Sequence, residues 1–281
     1  MTIQETTLEM IDKLSAIYSR REAENIIAYI FEDVFNQKKP YSKEKQFNQQ
    51  ETQSLYFILD RLLMHEPWQY IVGAADFYGE KFLVNPSVLI PRPETEELVF
   101  NILSENKSPD LKVLDIGTGS GCIAVMLSKK MKNAEVHAID ISPMTLDTAA
   151  ENANQLNAPV KFWLCDILNP QSRKALPVFD IIVSNPPYIS AVEKNQMSDN
   201  VVKYEPHIAL FTSNDDTLEF YREILNFANE GHLSETGKLY FELNQYLALE
   251  TEALAKSQGF DSIRLIKDLQ NNPRMLVLSK S

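Results

Sequence analysis

The chain predicts an α/β fold: a doubly wound, mostly parallel seven-stranded sheet with an antiparallel last strand, preceded by a small helical domain and a linking β-hairpin. Three observations predict it. From Leu111 onward, apolar strand-like runs alternate with helical stretches, the pattern of a parallel sheet covered on both faces. Glycine is absent before Gly73, and apolar residues in that region recur at helical spacing. Between the two regions lies EPWQYIVGAADFYGEKFLVN (66–85), where Gly79 between Phe77-Tyr78 and Phe82-Val84 marks a hairpin.

In order along the chain, Leu8, Ile11, Leu14, Ile17 and Tyr18 line one helix, and Ile26, Ile27, Ile30, Phe31, Val34 and Phe35 a second. Lys38-Lys39-Pro40-Tyr41 ends the second, and Gln53 to His65 forms a third. Val88-Leu89-Ile90-Pro91-Arg92-Pro93-Glu94-Thr95-Glu96 is a rigid entry into a helix whose acidic first turn suits its dipole. Strands are predicted at 111–116, 135–140, 160–165, 180–184, 237–243, 261–266 and 274–279, and helices at 120–131, 142–156, 216–230 and 245–258. The last two strands are joined only by Asn271-Asn272-Pro273, too short for a crossover helix, so that pair must be antiparallel. These readings divide the chain into a helical domain at 1–72, a hairpin at 73–87 and an α/β domain at 88–281.

Composition narrows the classes of function. With 27 basic and 39 acidic residues the net charge is −12; up to Val72 there are 8 basic and 11 acidic, and beyond it 19 and 28. Neither part has the basic footprint of sustained contact with phosphate backbones, which argues against stable nucleic-acid binding. The histidines are scattered, with no metal-ligand spacing to Cys122 or Cys165, so no metal is expected. The two cysteines suggest no oxidised framework, no apolar run spans a bilayer, and the N-terminus lacks signal-peptide character, so the cytosol is the expected compartment. Nothing demands more than a monomer.

Asp115-Ile116-Gly117-Thr118-Gly119-Ser120-Gly121 ends one predicted strand and opens a helix, and three of the chain's eight glycines fall within five residues. Such a turn lets a ligand approach the backbone and the helix start. A dinucleotide fingerprint would place glycine at the sixth position, where this chain has Cys122. The acid two residues ahead suits an ammonium group better than a pyrophosphate. Asp140 ends the next strand and can take both hydroxyls of a ribose, although it can equally cap the helix that begins at Ser142-Pro143. After the third strand, Asp166 can accept from an adenine amino group while Ile167 packs on its ring. A ligand with an amino-acid end, a ribose and an adenine is S-adenosylmethionine.

Asn185-Pro186-Pro187-Tyr188 follows the strand-like run Asp180-Ile181-Ile182-Val183-Ser184. Consecutive prolines hold the chain extended and remove two backbone donors, leaving carbonyls to accept from something else. Asn185 adds a side-chain carbonyl and Tyr188 a flat ring. Together they suit a planar, weakly nucleophilic NH2 group; the bland alternative is a strand-to-loop stop.

With these residues in hand, the chain resembles the release-factor glutamine N5-methyltransferases, a branch of the class I S-adenosylmethionine-dependent enzymes. The resemblance runs through 66–99, VLDIGTGSGCIAVMLS (113–128), the acid of AIDIS (138–142), FDIIVSNPPYIS (179–190) and YEPHIALF (204–211). The tetrapeptide is shared with methylases of adenine or cytosine amino groups, whereas IPRPETE and YEPHIAL look particular to the glutamine branch. The resemblance implies a helical substrate-recognition domain, a methyltransferase domain, and peptide chain release factors as partners, methylated on the glutamine of their Gly-Gly-Gln tip. It implies cofactor contacts from Gly117, Thr118, Gly119, Ser120, Gly121, Asp140 and Asn185, with Asp115, Asp166 and Ile167 joining from the reading of the strand ends. The glutamine is expected against Asn185, Pro186, Pro187 and Tyr188, of which Asn185, Pro186 and Tyr188 act in transfer. Arg92, Glu94 and Thr95 either border the glutamine pocket or order the helix entry, and Glu205 and His207 invite an acid–base role beside the plainer one of loop hydrogen bonding.

The chain departs from the family at Ser213-Asn214-Asp215-Asp216-Thr217-Leu218, at Glu242-Leu243-Asn244 and at Gln270-Asn271-Asn272-Pro273, where glycines are usual. These put loop geometry and partner fit in question more than the reaction. Two rival readings remain at this level: an N6-adenine methyltransferase holding a flipped base against Asn185 to Tyr188, and a cofactor-binding interaction module without catalysis. The first lacks a basic channel in the sequence; the intact tetrapeptide argues against the second.

Overall fold

The computed structural model describes residues 1–189, 199–212 and 216–280, so Ser190 of the Asn185 segment and Ser213-Asn214-Asp215 lie outside the described residues. The chain forms two compact units.

The first is helical: Ile3–Leu14, Arg20–Asp33, Gln49–Leu63 and Trp68–Val72, joined by the later segment Asp199–Tyr204. Two helices start with reciprocal capping boxes, Thr2 with Glu5 and Asn48 with Glu51, which satisfy otherwise orphaned N–H groups. The core gathers Met10, Leu14, Ile27, Ile30, Phe31, Leu59 and Leu62, with Tyr41 and Phe47 edge-on to Phe31. The Tyr204 hydroxyl donates to the Met64 carbonyl at 2.9 Å. The second helix stops at Asp33, short of the predicted Lys38, because Asn36 adopts φ +52°. Leu8 and Val34, read as part of the apolar stripes, are surface residues.

The second unit begins at Ala75, within the hairpin formed by β1 (Ala74–Phe77) and β2 (Glu80–Leu83). Its sheet comprises β3 (Lys112–Ile116), β4 (Glu135–Asp140), β5 (Val160–Leu164), β6 (Phe179–Ser184), β7 (Leu233–Glu242), β8 (Ser262–Lys267) and β9 (Pro273–Ser279). The order is β5-β4-β3-β6-β7-β9-β8, parallel except for β9, which runs antiparallel to both neighbours. Side-chain alternation divides the core: Val113 packs under the helices Pro93–Glu105 and Cys122–Lys130, whereas Leu114 and Ile116 face Tyr221, Ile224 and Ala248. The chain order reverses between β3 and β6, so a crevice opens there above the carboxyl ends of the strands.

Some element bounds differ from the sequence expectation. The helix expected at 216–230 is Glu219–Phe227, because the Asp216 carboxylate accepts the Leu218 N–H and turns the chain first. A wide turn over Ala228–His232 with Gly231 at φ +99° follows, and β7 starts at Leu233 rather than 237. Short helices at Pro170–Arg173 and His207–Leu210 were not foreseen, being too brief for a periodic signal. Among the described residues no helix is long and apolar enough to cross a membrane.

Candidate active site

The crevice holds a cavity of about 440 Å³, within the range of small-molecule sites. Its floor is the row of strand ends: Ile116 on β3 with Gly117 and Gly119 after it, Ile139 and Asp140 on β4, Cys165, Asp166 and Ile167 after β5, and Ser184, Asn185, Pro186 and Pro187 on and after β6. The Ser184 hydroxyl donates to the Ile116 carbonyl at 2.8 Å and ties the two central strand tips together.

The glycine-rich turn is shaped by Asp115. This carboxylate is fully buried; its Oδ2 accepts from the Thr118 hydroxyl at 2.7 Å and the Ala124 N–H at 3.2 Å. Burial, with a smaller contribution from the Asp140 charge, pushes the Asp115 carboxyl up to about 7. Gly117, Gly119 and Gly121 take φ of +72°, +56° and +80°, which L side chains rarely adopt. Nothing stands within 4 Å of where a Cβ would sit at Gly117 or Gly119, whereas at Gly121 it would meet Ala149 Cβ at 3.1 Å. The first two therefore open the backbone to a ligand, and the third lets two helices approach.

Asp140 is held by two N–H donors, Ser142 at 3.0 Å on Oδ1 and Gly119 at 3.2 Å on Oδ2. Each oxygen keeps lone-pair capacity for a hydroxyl. Burial raises the Asp140 carboxyl. Asp166 accepts the Leu168 N–H at 2.9 Å, and the Ile167 carbonyl is gripped by Arg173 Nη1 at 2.6 Å. Arg173 is itself buried and paired with Glu223 and Glu230 at 2.9 and 2.7 Å.

The Asn185 carboxamide donates from Nδ2 to Thr95 Oγ at 3.3 Å, and that hydroxyl donates to Glu242 Oε2 at 2.7 Å. Thr95 and Glu242 are buried, and burial pushes the Glu242 carboxyl up to about 7. Tyr188 is half-buried against the core beneath β6 and β7, and burial raises its phenol well above its ordinary value. The opposite wall comes from a later segment: His207, Ile208, Ala209, Phe211 and Thr212 line the cavity. It is stapled to the Asn185 segment by the Ile189 N–H donating to the Leu210 carbonyl at 3.0 Å. Arg92 pairs with the buried Glu205, whose other oxygen accepts the Ile90 N–H at 3.4 Å, so IPRPETE and YEPHIAL meet although 113 residues separate the paired side chains.

Of the residues picked out in the sequence, Gly117, Gly119, Asp140, Asp166, Ile167, Asn185, Pro186 and Pro187 thus converge on one cavity. Asp115, Thr118, Ser120, Gly121, Tyr188, Arg92 and Glu94 are not part of its lining. Asp115 and Thr118 shape the turn from beneath, and Arg92 fastens the second wall. The Asp115 Oδ1 and Ser120 Oγ atoms are buried without a hydrogen-bond partner among the described residues. Open glycine backbone, a carboxylate with spare acceptors and an apolar wall at Ile167 and Phe220 fit a nucleoside-bearing donor. Sequence reasoning missed Asn152 and Arg173, whose partners are remote in the chain, and the lining role of 207–212, which only the recurrence of YEPHIALF could have flagged.

A family model described as the methyltransferase small domain matches residues 94–208. The release factor glutamine methyltransferase of Flavobacterium psychrophilum is 42% identical over 98% of both chains. The chain belongs to the release factor glutamine methyltransferase family. A second family member, from Streptococcus pneumoniae, is 40% identical over 96% of this chain and 92% of its own. A 16S rRNA methyltransferase of T. thermophilus, solved in complex with AdoMet and guanosine, is similar in fold alone, with a TM-score of 0.54 at 18% identity over 74% of this chain and 50% of that one. Methyltransferases of this fold use S-adenosylmethionine.

Proposed function

We propose that this protein transfers a methyl group from S-adenosylmethionine to the side-chain amide nitrogen of the glutamine in the Gly-Gly-Gln motif of peptide chain release factors. The observation that carries this reading is the Asn185 carboxamide lining the cavity just past β6, with Nδ2 held by the Thr95 hydroxyl; the carboxamide's other end, Oδ1, is then left to accept.

Gly117 and Gly119 would hold the donor by their backbone, Asp140 its ribose hydroxyls, and Asp166 with Ile167 its adenine. Asp115, Thr118, Ser120 and Gly121 would shape the turn around its amino-acid end. Bound there, S-adenosylmethionine supplies an electrophilic methyl group on a sulfonium sulfur. The chain's own task is to present a poor nucleophile, because an amide lone pair is delocalised into its carbonyl. Asn185 Oδ1 and the Pro186 carbonyl accept the two amide hydrogens and turn the nitrogen toward the methyl. Two acceptors also disfavour a glutamate carboxylate at the same place. Tyr188, kept protonated by burial, offers a flat neutral face to the amide plane. Pro187 keeps the segment extended, and Arg92 and Glu94, which lie outside the cavity lining, would border the glutamine pocket only at its entrance, Arg92 through its pairing with Glu205. Orientation and electrostatic complementarity of this kind supply several kcal/mol of the barrier reduction. No strong base is needed, since methyl transfer leaves the amide nitrogen cationic with both its hydrogens, and that strongly acidic cation gives one proton to water to leave the neutral N-methyl amide.

The helical residues 1–72 would hold the release factor, with 73–87 as a link and 88–281 as the methyltransferase domain; the former carry none of the residues assigned to chemistry. The deciding experiment is transfer of labelled methyl from S-adenosylmethionine to an unmethylated release factor and to a variant with the Gly-Gly-Gln glutamine replaced. Label in the first alone is the expected result. Label in neither, or in added nucleic acid instead, would overturn the reading.

A further inference from the structure

We infer that Thr95 and Glu242 are positioning residues that set the rotation of the Asn185 carboxamide and thereby decide which of its two ends meets the substrate. The inference rests on the proposed glutamine methylation, in which Asn185 Oδ1 must act as an acceptor. A carboxamide has two ends of nearly equal shape and opposite hydrogen-bonding sense. Turned by 180°, Asn185 would present its own NH2 to the substrate NH2, and two donors would face each other. Something must break this degeneracy.

The geometry supplies a directional relay. Thr95 has one hydroxyl hydrogen, and it points to Glu242 Oε2 at 2.7 Å. Toward Asn185 the same oxygen can then only accept, which it does from Nδ2 at 3.3 Å. When Glu242 is ionised, the end of the chain can only accept, and that form sets the direction of the relay. Thr95 and Glu242 are 3% and 2% exposed, so water does not compete for these bonds. They come from different elements: Thr95 from the first turn of Pro93–Glu105, Glu242 from the last position of β7. The Tyr221 hydroxyl donates to the Glu242 backbone carbonyl at 3.0 Å and secures that strand end. Burial is the largest influence on Glu242 and, with Glu94, opposes its ionisation, while the Thr95 hydroxyl, Arg274 and Arg92 favour the ionised form; the nearby phenols of Tyr188 and Tyr221 remain neutral.

The test pairs methyl transfer with a spectroscopic readout. Thr95→Val, close in shape but without the hydroxyl, should lower kcat for methylation of a release factor roughly 10- to 100-fold. Affinity for S-adenosylhomocysteine should stay within about twofold, and Thr95→Ser should restore most of the rate. In an Asn185→Ala background Thr95→Val should have no further effect, because the relay acts only through that side chain. Independently of activity, the Asn185 side-chain amide protons should exchange with solvent faster in Thr95→Val than in the wild type. Unchanged kcat, or equal losses in both backgrounds, would overturn the relay. Should the wild type fail to methylate any release factor, unchanged exchange would also sink the relay, whereas faster exchange in Thr95→Val would leave it standing and reject only the substrate.

Discussion

Replacing Asn152 with alanine should loosen the hairpin and the glycine-rich turn together. Asn152 lies on the helix Pro143–Gln155 and is fully buried. Its Oδ1 accepts the Leu83 N–H at 2.6 Å, while Nδ2 donates to the Leu83 carbonyl at 3.0 Å and the Ser120 carbonyl at 2.9 Å. One side chain therefore completes a strand-like exchange with β2 and anchors the turn that would hold the donor. Three lost hydrogen bonds cost about 1 kcal/mol each, and stranded buried carbonyls add on the order of another 1 kcal/mol. Over a unit of this size a loss of about 4 kcal/mol lowers Tm by roughly 10 °C. Thermal unfolding followed by circular dichroism reads the first effect. Calorimetric titration with S-adenosylhomocysteine reads the second, a weakening of about tenfold. Asn152→Asp keeps the acceptor but turns a charge toward two carbonyl oxygens, so it should be no milder. The reasoning is refuted if Asn152→Ala melts within about 2 °C of the wild type and binds the ligand normally.

Asp140→Ala should weaken S-adenosylhomocysteine binding by about 100-fold, since the carboxylate is the expected acceptor for both ribose hydroxyls; a change under about threefold in calorimetry would remove it from the site. Gly121→Ala should cost roughly 1–3 kcal/mol of stability in denaturant titration, because φ is +80° and the new Cβ would press on Ala149 at 3.1 Å. Gly117→Ala shares the backbone strain of a positive φ, +72°, but its Cβ meets nothing within 4 Å, so it should cost less stability than Gly121→Ala while weakening ligand binding more; equal effects at the two glycines would contradict their separate roles. Asp115→Asn should change how stability varies with pH. With the buried carboxyl up at about 7, the native state keeps its proton where the unfolded chain has lost it. The stability from this group is therefore fully present below about pH 4 and is lost as pH rises to about 7. The wild type should fall relative to Asp115→Asn by on the order of 3 kcal/mol between about pH 5 and pH 8; parallel pH profiles would show that the carboxyl is not perturbed.

Much of the architecture was legible because it depends on neighbours in sequence. Apolar runs and their spacing mark strands and helices, and a short Asn271-Asn272-Pro273 link permits only an antiparallel β9. The glycine-rich turn and the strand-end acids were legible for the same reason, since a parallel sheet brings its carboxyl ends to one rim whatever the details of packing. Where the sequence misjudged bounds, a side chain had intervened locally, as Asp216 does by capping the turn before Glu219.

By itself, then, the sequence determined the layered α/β plan, the rim on which Gly117, Asp140, Asp166 and Asn185 stand, and the family to which those motifs belong. Only the tertiary structure decided how the rim is held. Asn152 reaching Leu83 and Ser120, Arg173 gripping the Ile167 carbonyl, Glu205 closing on Arg92, and Thr95 linking Asn185 to Glu242 all join residues from separate elements. None of these has a periodic or local signature. A buried polar side chain takes whichever partner the folded backbone brings within hydrogen-bond reach, and that choice exists only once the elements have packed.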